Sequence, residues 1–75
     1  MRAAKLANSE RLQRVVNFLS DGAWHSTREI VHGAKVCAVN SAIAELRDPI
    51  NGIEIDGHWR KKYFYYRLAP KQATA

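Results

Sequence analysis

The residues with the clearest capacity for chemistry are three consecutive cations near the C-terminus, Arg60, Lys61 and Lys62. Trp59 precedes them and Tyr63 follows, so the cluster combines positive charge with two flat aromatic rings. Lysine and arginine bind phosphates, and an arginine can also enter a narrow minor groove. This segment therefore favours contact with a nucleic acid backbone, although charged residues at a turn also keep exposed sheet edges soluble.

The charge of the whole chain agrees with this interpretation. Its 75 residues contain twelve Lys and Arg against seven Asp and Glu, which gives a net charge of +5. Residues 53–75 carry five basic and two acidic side chains, whereas residues 23–52 are balanced. A basic excess placed towards the ends of a chain favours an acidic partner, and nucleic acid is the first candidate.

The residue types that commonly serve catalysis or bind metals are not arranged in any recognised catalytic or metal-binding motif. The three histidines, His25, His32 and His58, match no zinc-ligand spacing, and Cys37 has no second cysteine to support it. No serine has a base placed beside it by the sequence, and no glycine-rich phosphate loop occurs. We expect a protein without enzymatic activity, metal, other cofactor or small-molecule substrate, in which Cys37 is a buried or half-buried side chain.

Length and composition indicate one small domain that is stabilised by packing. A chain of this size buries only about 60% of the surface that its unfolded form exposes. One cysteine cannot form an internal disulfide, and no apolar run approaches the roughly 18 residues of a membrane span. We expect a single domain over residues 8–68, with a flexible N-terminus over residues 1–7 and a disordered tail over residues 69–75.

The first predicted helix has clear start and stop signals. Asn8 or Ser9 can cap it, and Gly22 can take the left-handed conformation at its end. Arg11 and Arg14 lie away from the apolar stripe and are expected to face solvent. That stripe recurs at helical spacing and consists of Leu12, Val15, Val16 and Leu19.

Two shorter helices are predicted next. The first opens with a capping box formed by Ser26 and Glu29 and is interrupted by Gly33. The other covers residues 36–47 and stops before Pro49, because the residue before a proline avoids helical geometry. Two short helices joined by a tight glycine-containing turn are the outline of a helix-turn-helix. The apolar stripe of the last helix is formed by Val39, Ile43 and Leu46.

The last third of the chain changes to a period of two, which predicts two antiparallel strands, at residues 53–56 and 63–68. We prefer a long connecting loop over residues 57–62, because it aligns two apolar alternations of similar length. A tight turn at Asp56-Gly57 is the alternative, since Asp-Gly is a strong hairpin signal. Trp24, earlier in the chain, is expected in the core.

These elements, with a short strand between the first two helices, describe a winged helix-turn-helix. The chain resembles small winged helix domains encoded in phage and prophage genomes over roughly residues 10–68. The resemblance implies an α+β fold in the order α-β-α-α-β-β, with three helices packed on a small antiparallel sheet and a third helix that enters DNA. In that family a basic residue commonly stands at the position of Ala42. The resemblance is carried by Trp24-x-Ser26-Thr27-x-Glu29-Ile30, Val39-Asn40-Ser41-x-Ile43-Ala44-Glu45-Leu46-Arg47 and Tyr66-Arg67-Leu68.

A second resemblance is to winged helix domains that bind left-handed Z-form DNA. Those domains carry an asparagine in the third helix, a tyrosine one turn later and a proline-rich wing with a tryptophan. Asn40 and Trp59 match that pattern, but Ala44 stands at the tyrosine position and no proline lies immediately before Trp59. Because one fold hosts many functions, we prefer the first resemblance.

On this fold the exposed face of the third helix would contact bases. Asn40 could offer its amide to adenine, Ser41 its hydroxyl to a base or phosphate, and Arg47 its guanidinium to phosphate or guanine. Glu45 would accept from cytosine or pair with Arg28 or Arg47. An ordinary solvated residue is the alternative for each. The predicted DNA-binding residues are Arg28, Asn40, Ser41, Arg47, Trp59, Arg60, Lys61 and Lys62.

We therefore predict a cytoplasmic protein that binds double-stranded DNA and regulates transcription, recombination or replication in a phage, prophage or bacterial element. One such domain contacts few base pairs, so specific binding would need a homodimer, tandem sites or a protein partner. A protein-interaction module is one alternative, with Ala38 and Ala44 in a small apolar patch. A single-stranded nucleic-acid binder is the other, suggested by Trp59, Tyr63 and Tyr65 beside cations.

Overall fold

The structure, a computed structural model, describes residues 4–69, which contain three α-helices and a three-stranded antiparallel sheet of order β1-β3-β2. The α+β order predicted from the sequence is confirmed. No helix in residues 4–69 is long and apolar enough to cross a membrane. The elements are a 3-10 turn at Leu6–Asn8, α1 at Glu10–Leu19, β1 at His25–Ser26, α2 at Thr27–Gly33, α3 at Val39–Arg47, β2 at Ile55–Arg60 and β3 at Tyr63–Leu68.

Helix α1 begins and ends where its cap residues predict. The Ser9 hydroxyl accepts a hydrogen bond from the amide of Leu12, and Gly22 has a φ of 74° just beyond the helix. Arg14 is partly exposed, as its position away from the apolar stripe predicts, but it also bonds within the protein. Its Nε donates to the Ala34 carbonyl oxygen at 2.9 Å, so α1 supports the connection between α2 and α3.

Helix α2 has the predicted capping box, in which Ser26 and Glu29 each bind the other's backbone amide. Helix α2 ends at Gly33, within two turns of its start, as predicted. A Cβ at Gly33 would lie 2.0 Å from the ring of Phe18, so any larger residue here would have to displace that ring. The residue with left-handed geometry in the connection to α3 is Lys35, with a φ of 55°.

Helix α3 starts at Val39, three residues later than predicted, because residues 34–38 form a non-helical connection in which Val36 packs into the core. The helix ends at Arg47, as expected from the following proline. Ala42 is fully buried, so the position at which the resembled family carries a basic residue faces the core of this protein. The buried face consists of Val39, Ala42, Ile43 and Leu46.

The segment before α1, expected to be flexible, is held against the end of α3 from Ala4 onward. The Ala4 amide donates to Oε1 of Glu45 at 3.1 Å, and its carbonyl oxygen accepts from Nδ2 of Asn51 at 2.8 Å. These contacts join residues more than 40 positions apart in the chain. Residues 1–3, included in the same prediction, lie outside the described residues.

The first residue of the predicted C-terminal tail, Ala69, belongs to the fold. Ala69 is buried, and its amide donates to the Glu54 carbonyl oxygen at 2.9 Å, which continues the pairing of the sheet by one residue. The remainder of that prediction, residues 70–75, lies outside the described residues.

Strands β2 and β3 pair at six successive positions and leave a two-residue turn at residues 61–62. The predicted long loop over residues 57–62 is wrong, and so is the alternative turn at Asp56-Gly57. The pairing extends to the tip because Trp59 stands opposite Phe64, and aromatic cross-strand pairs stabilise a ladder.

Alternation along the strands gives the sheet an inner and an outer face. The inner face, with Ile55, Tyr66 and Leu68, packs against the helices and closes the core. Trp24 lies beside the outer face and is 40% exposed, so its predicted core position is wrong. The Arg67 guanidinium carbon lies 4.5 Å from the centroid of the Trp24 ring and holds it there. The outer face consists of Asp56, His58, Arg60, Tyr63, Tyr65 and Arg67.

Candidate nucleic-acid interface

The side of α3 that faces away from the core is polar and small. Asn40, Ser41 and Ala44 are all exposed. No side chain caps the helix at Ala38, so the first backbone amides of α3 keep their capacity to donate to an outside acceptor. An uncapped helix start with short side chains permits close approach of an anionic group.

A line of contacts connects this side of α3 to the tip of the hairpin. The Tyr66 hydroxyl donates to Oδ1 of Asn40 at 3.0 Å. The Tyr66 ring lies 4.9 Å from that of Phe64, which in turn lies 6.0 Å from that of Trp59. These four residues, together with Ser41, are called the α3–hairpin surface below. Through them the polar side of α3 and the basic turn belong to one continuous part of the molecule.

Arg47 has an internal role that the sequence did not predict. Its Nε and Nη2 donate to the Ile55 carbonyl oxygen at 3.2 and 2.8 Å, which fastens the end of α3 to β2. Its guanidinium carbon lies 5.8 Å from the centroid of the Tyr66 ring. A Cβ at Gly57 would lie 3.4 Å from Nη2 and 2.7 Å from the Phe64 ring, so glycine makes room for this packing. Two guanidinium nitrogens of Arg47, a residue predicted to contact DNA, are thus engaged within the protein.

Glu45 turns towards α1 and away from the exposed side of α3. Nη2 of Arg11 donates to its Oε2 at 2.6 Å, so the predicted pairing with Arg28 or Arg47 is wrong. Arg11 remains partly exposed while it forms this ion pair. This hydrogen bond, with help from the Ala4 amide, holds the pKa of the Glu45 carboxyl below its ordinary value. The ion pair removes a negative charge from the surface that would approach an anion.

The cations of the turn remain available. Among residues 4–69, Arg60, Lys61 and Lys62 form no ion pair, whereas several acidic side chains are engaged elsewhere in the fold. The local positive potential is therefore not cancelled by a neighbouring carboxylate. The acid–base pairs formed elsewhere are Glu10 with Arg14, Asp21 with His25, Glu45 with Arg11 and Asp56 with Arg67.

The remaining predicted residues have simpler positions. Arg28 is exposed in the first turn of α2 and is not joined to the α3–hairpin surface by any of the contacts above. Cys37 is exposed, which contradicts its predicted burial. In the described part of the chain, no group of three or more His, Cys, Asp or Glu side chains could hold a metal ion.

Sequence reasoning missed Tyr66 as part of this surface. Tyr66 stands at an inward position of β3 and is only 7% exposed. A buried tyrosine hydroxyl usually has a hydrogen-bond partner, which is the signal that could have indicated a polar contact at this position. Its partner Asn40 lies 26 residues away, so only the packed structure identifies it.

The resemblance to winged helix domains remains a prediction. The functional interpretation therefore rests on the charge and geometry described above. Comparisons of the chain with protein-family models, with curated proteins and with solved structures found no match.

Proposed function

We propose that this chain is a winged helix-turn-helix domain that binds double-stranded DNA. In this proposal α2, residues 34–38 and α3 form the helix-turn-helix, and the β2–β3 hairpin is the wing. The observation that carries it is the hydrogen bond from the Tyr66 hydroxyl to Asn40, because it joins the polar side of α3 to the hairpin that bears the free cations. Helix α3 enters the major groove, and the turn lies on the phosphate backbone.

The dimensions support this arrangement. Tyr66 follows Lys62 by four positions, which corresponds to about 13 Å in the direction of β3. The major groove is about 12 Å wide. With α3 in the groove, the turn would therefore reach the backbone at its border. The short side chains of Ser41 and Ala44 would let the helix lie deep in the groove.

The contacts divide into base recognition and backbone binding. Because Oδ1 of Asn40 already accepts from Tyr66, its Nδ2 is the group left to donate, and an acceptor such as purine N7 suits it. Ser41 stands next to it on the exposed side. Arg60, Lys61 and Lys62 would bind phosphates and supply most of the affinity. Regulation of transcription, recombination or replication is the role that such binding would serve.

Fluorescence anisotropy with a labelled random-sequence duplex, at about 50 and 200 mM salt, tests backbone binding. Affinity should fall by orders of magnitude over that range. Replacing Arg60, Lys61 and Lys62 by alanine should lower the magnitude of the slope of log affinity against log salt by about 3, at about 0.9 per phosphate contact. The single variants Lys62→Ala and Lys5→Ala each remove one positive charge. Lys62→Ala should lower the magnitude of the slope by about 0.9, the value for one phosphate contact, and Lys5→Ala should leave the slope unchanged. An unchanged slope in the triple variant would refute the role of the turn.

Base recognition has its own test. Sites selected from a random duplex library should bind the native chain more tightly than unselected duplex. The double variant Asn40→Ala with Ser41→Ala should lose most of that preference and keep its affinity for unselected duplex. Equal losses on both duplexes, in a variant whose circular dichroism spectrum and unfolding midpoint are unchanged, would show that α3 reads no bases. No binding to any duplex, even at low salt, would overturn the proposed function altogether.

A further inference from the structure

The outer face of the sheet carries aromatic side chains that the proposed duplex surface does not use, next to two cations of the turn, Arg60 and Lys61. Across the ladder, Arg60 stands opposite Tyr63 and His58 stands opposite Tyr65. Since side chains two positions apart on a strand share a face, these two pairs lie in consecutive rows that lead towards the basic turn. Trp24, which precedes β1, completes the group at its side.

These side chains line a cavity of about 660 Å³ that is open to solvent. That volume lies within the range of about 300–1,000 Å³ found for ligand sites, so it would accommodate a nucleotide-sized group. Aromatic rings form most of its wall, and two cations stand at the end nearest the turn. The lining consists of Trp24, His58, Arg60, Lys61, Tyr63 and Tyr65.

The wall at Trp24 is held in position before any ligand arrives. The Arg67 guanidinium stacks on the indole, and Nε of Arg67 donates to Oδ2 of Asp56 at 3.1 Å. The His58 ring lies 5.7 Å from that of Trp24, at an angle of 52°. Asp56, the acidic member of the outer face, is thereby paired with Arg67. The face is left with an excess of positive charge and a preformed flat wall.

An unpaired nucleotide needs a flat surface on which its base can stack and a cation for its phosphate, and the outer face offers both. Tyr63 is 53% exposed and Trp24 is 40% exposed, so aromatic surface is open to a stacking partner. Arg60 and Lys61 form no ion pair among residues 4–69 and can bind a phosphate. An acidic peptide would use the cations but not the rings, and a duplex keeps its bases stacked inside. Aromatic surface beside a cationic edge is the combination that binds single strands.

We propose that the outer-face cavity binds an unpaired nucleotide of single-stranded nucleic acid. The base stacks on the aromatic wall formed by Tyr63, Tyr65 and Trp24, and the adjoining phosphate binds Arg60 and Lys61. This site is on the opposite side of the hairpin from the α3–hairpin surface and does not depend on the proposed duplex binding.

The two tryptophans of the chain allow a direct measurement. The variant Trp59→Phe leaves Trp24 as the single tryptophan, so its fluorescence reports on the outer face alone. Titration with an oligothymidylate of about ten nucleotides at low salt should quench it in a saturable manner. A duplex of equal length and a poly-glutamate peptide are the comparison ligands. The proposal is overturned if either of the two quenches Trp24 at the same concentrations as the oligonucleotide.

Variants on the same background separate stacking from folding. Tyr63→Leu removes the ring but keeps an apolar side chain, and it should weaken oligonucleotide binding about tenfold, the loss expected for one stacked base. Tyr63→Phe keeps the ring and should bind normally. The double variant Asn40→Ala with Ser41→Ala should also bind the single strand normally, which separates this site from duplex recognition. Unchanged binding in Tyr63→Leu, with its circular dichroism spectrum intact, would refute the aromatic wall.

Discussion

The hydroxyl of Tyr66 donates to Oδ1 of Asn40 at 3.0 Å, while the ring of the same tyrosine lies 5.8 Å from the guanidinium carbon of Arg47. One side chain of β3 therefore contacts both the first and the last turn of α3. Because Tyr66 is 7% exposed, its hydroxyl has little access to water and relies on Asn40 as its partner. This tyrosine sets the position of α3 on the sheet.

Replacing Tyr66 by phenylalanine should destabilise the protein by about 1 kcal/mol, since a typical intramolecular hydrogen bond contributes that amount. Asn40 would lose its orientation, so the preference among duplex sequences should decline more than total affinity. Urea denaturation measures the first effect and anisotropy the second. Tyr63→Phe removes a hydroxyl from an exposed ring and should leave stability unchanged. If both variants behave alike, the contact with Asn40 has no structural role.

Gly33→Ala should destabilise the protein by about 1–3 kcal/mol, because the new Cβ would meet the Phe18 ring at 2.0 Å and the core would have to shift. At a helix position without such a neighbour, the same change stabilises by roughly 0.5–1 kcal/mol. Thermal or urea unfolding distinguishes the two signs. On a Phe18→Leu background, which replaces the ring by a smaller side chain, Gly33→Ala should cost less stability than it does in the native chain. A stabilising Gly33→Ala would disprove the close approach of α1 and α2.

Lys61→Gly should stabilise the hairpin by about 1 kcal/mol, since Lys61 has a φ of 56°, which is unfavourable for residues with a Cβ. Lys62→Gly removes the same charge at a neighbouring position without positive φ, and it should be neutral or destabilising. Comparing the unfolding midpoints of the two variants isolates the backbone effect. Equal midpoints would contradict the left-handed conformation at Lys61. Each variant should also lose about one phosphate contact in the salt dependence of duplex binding.

Glu45→Gln should make the stability of the fold less dependent on pH in the acidic range. The Arg11 hydrogen bond lowers the pKa of Glu45 in the folded state below 4.5, its pKa in the unfolded chain. The carboxylate therefore stabilises the fold above pH 4.5, and this contribution is lost as the pH falls through the lower pKa of the folded state. The native chain should therefore unfold at a higher temperature than the variant at pH 7, and the difference should shrink below pH 4.5. Glu10→Gln affects an exposed helix pair and should show a much smaller difference. A difference independent of pH would refute the ion pair.

The elements predicted most accurately from sequence are those whose signals are local. Ser9 and Gly22 mark the two ends of α1, and Ser26 with Glu29 marks the start of α2, because a cap depends on backbone groups only a few residues away. The alternation in the last third likewise predicted two strands. The turn between them was placed wrongly, since the decisive contact is the cross-strand pairing of Trp59 with Phe64.

The surface was predicted only in part, for the same reason. Asn40 and the cations of the turn were identified from residue type, but the partner of Asn40 is 26 positions away. Trp24 was expected in the core because of its size, whereas the structure packs it on the outer face under Arg67. Composition indicates how much apolar surface must be buried, but it does not say which large side chain remains at the edge.

The sequence by itself determined the order of helices and strands, the caps that bound the first two helices, and the concentration of positive charge at residues 60–62. Each of these depends on neighbours in the chain. The tertiary structure decided which charges remain available, because Arg11, Arg14 and Arg47 are engaged by groups brought together only through folding. It also decided that the hairpin has two usable faces, since strand pairing separates alternate side chains to opposite sides of the sheet.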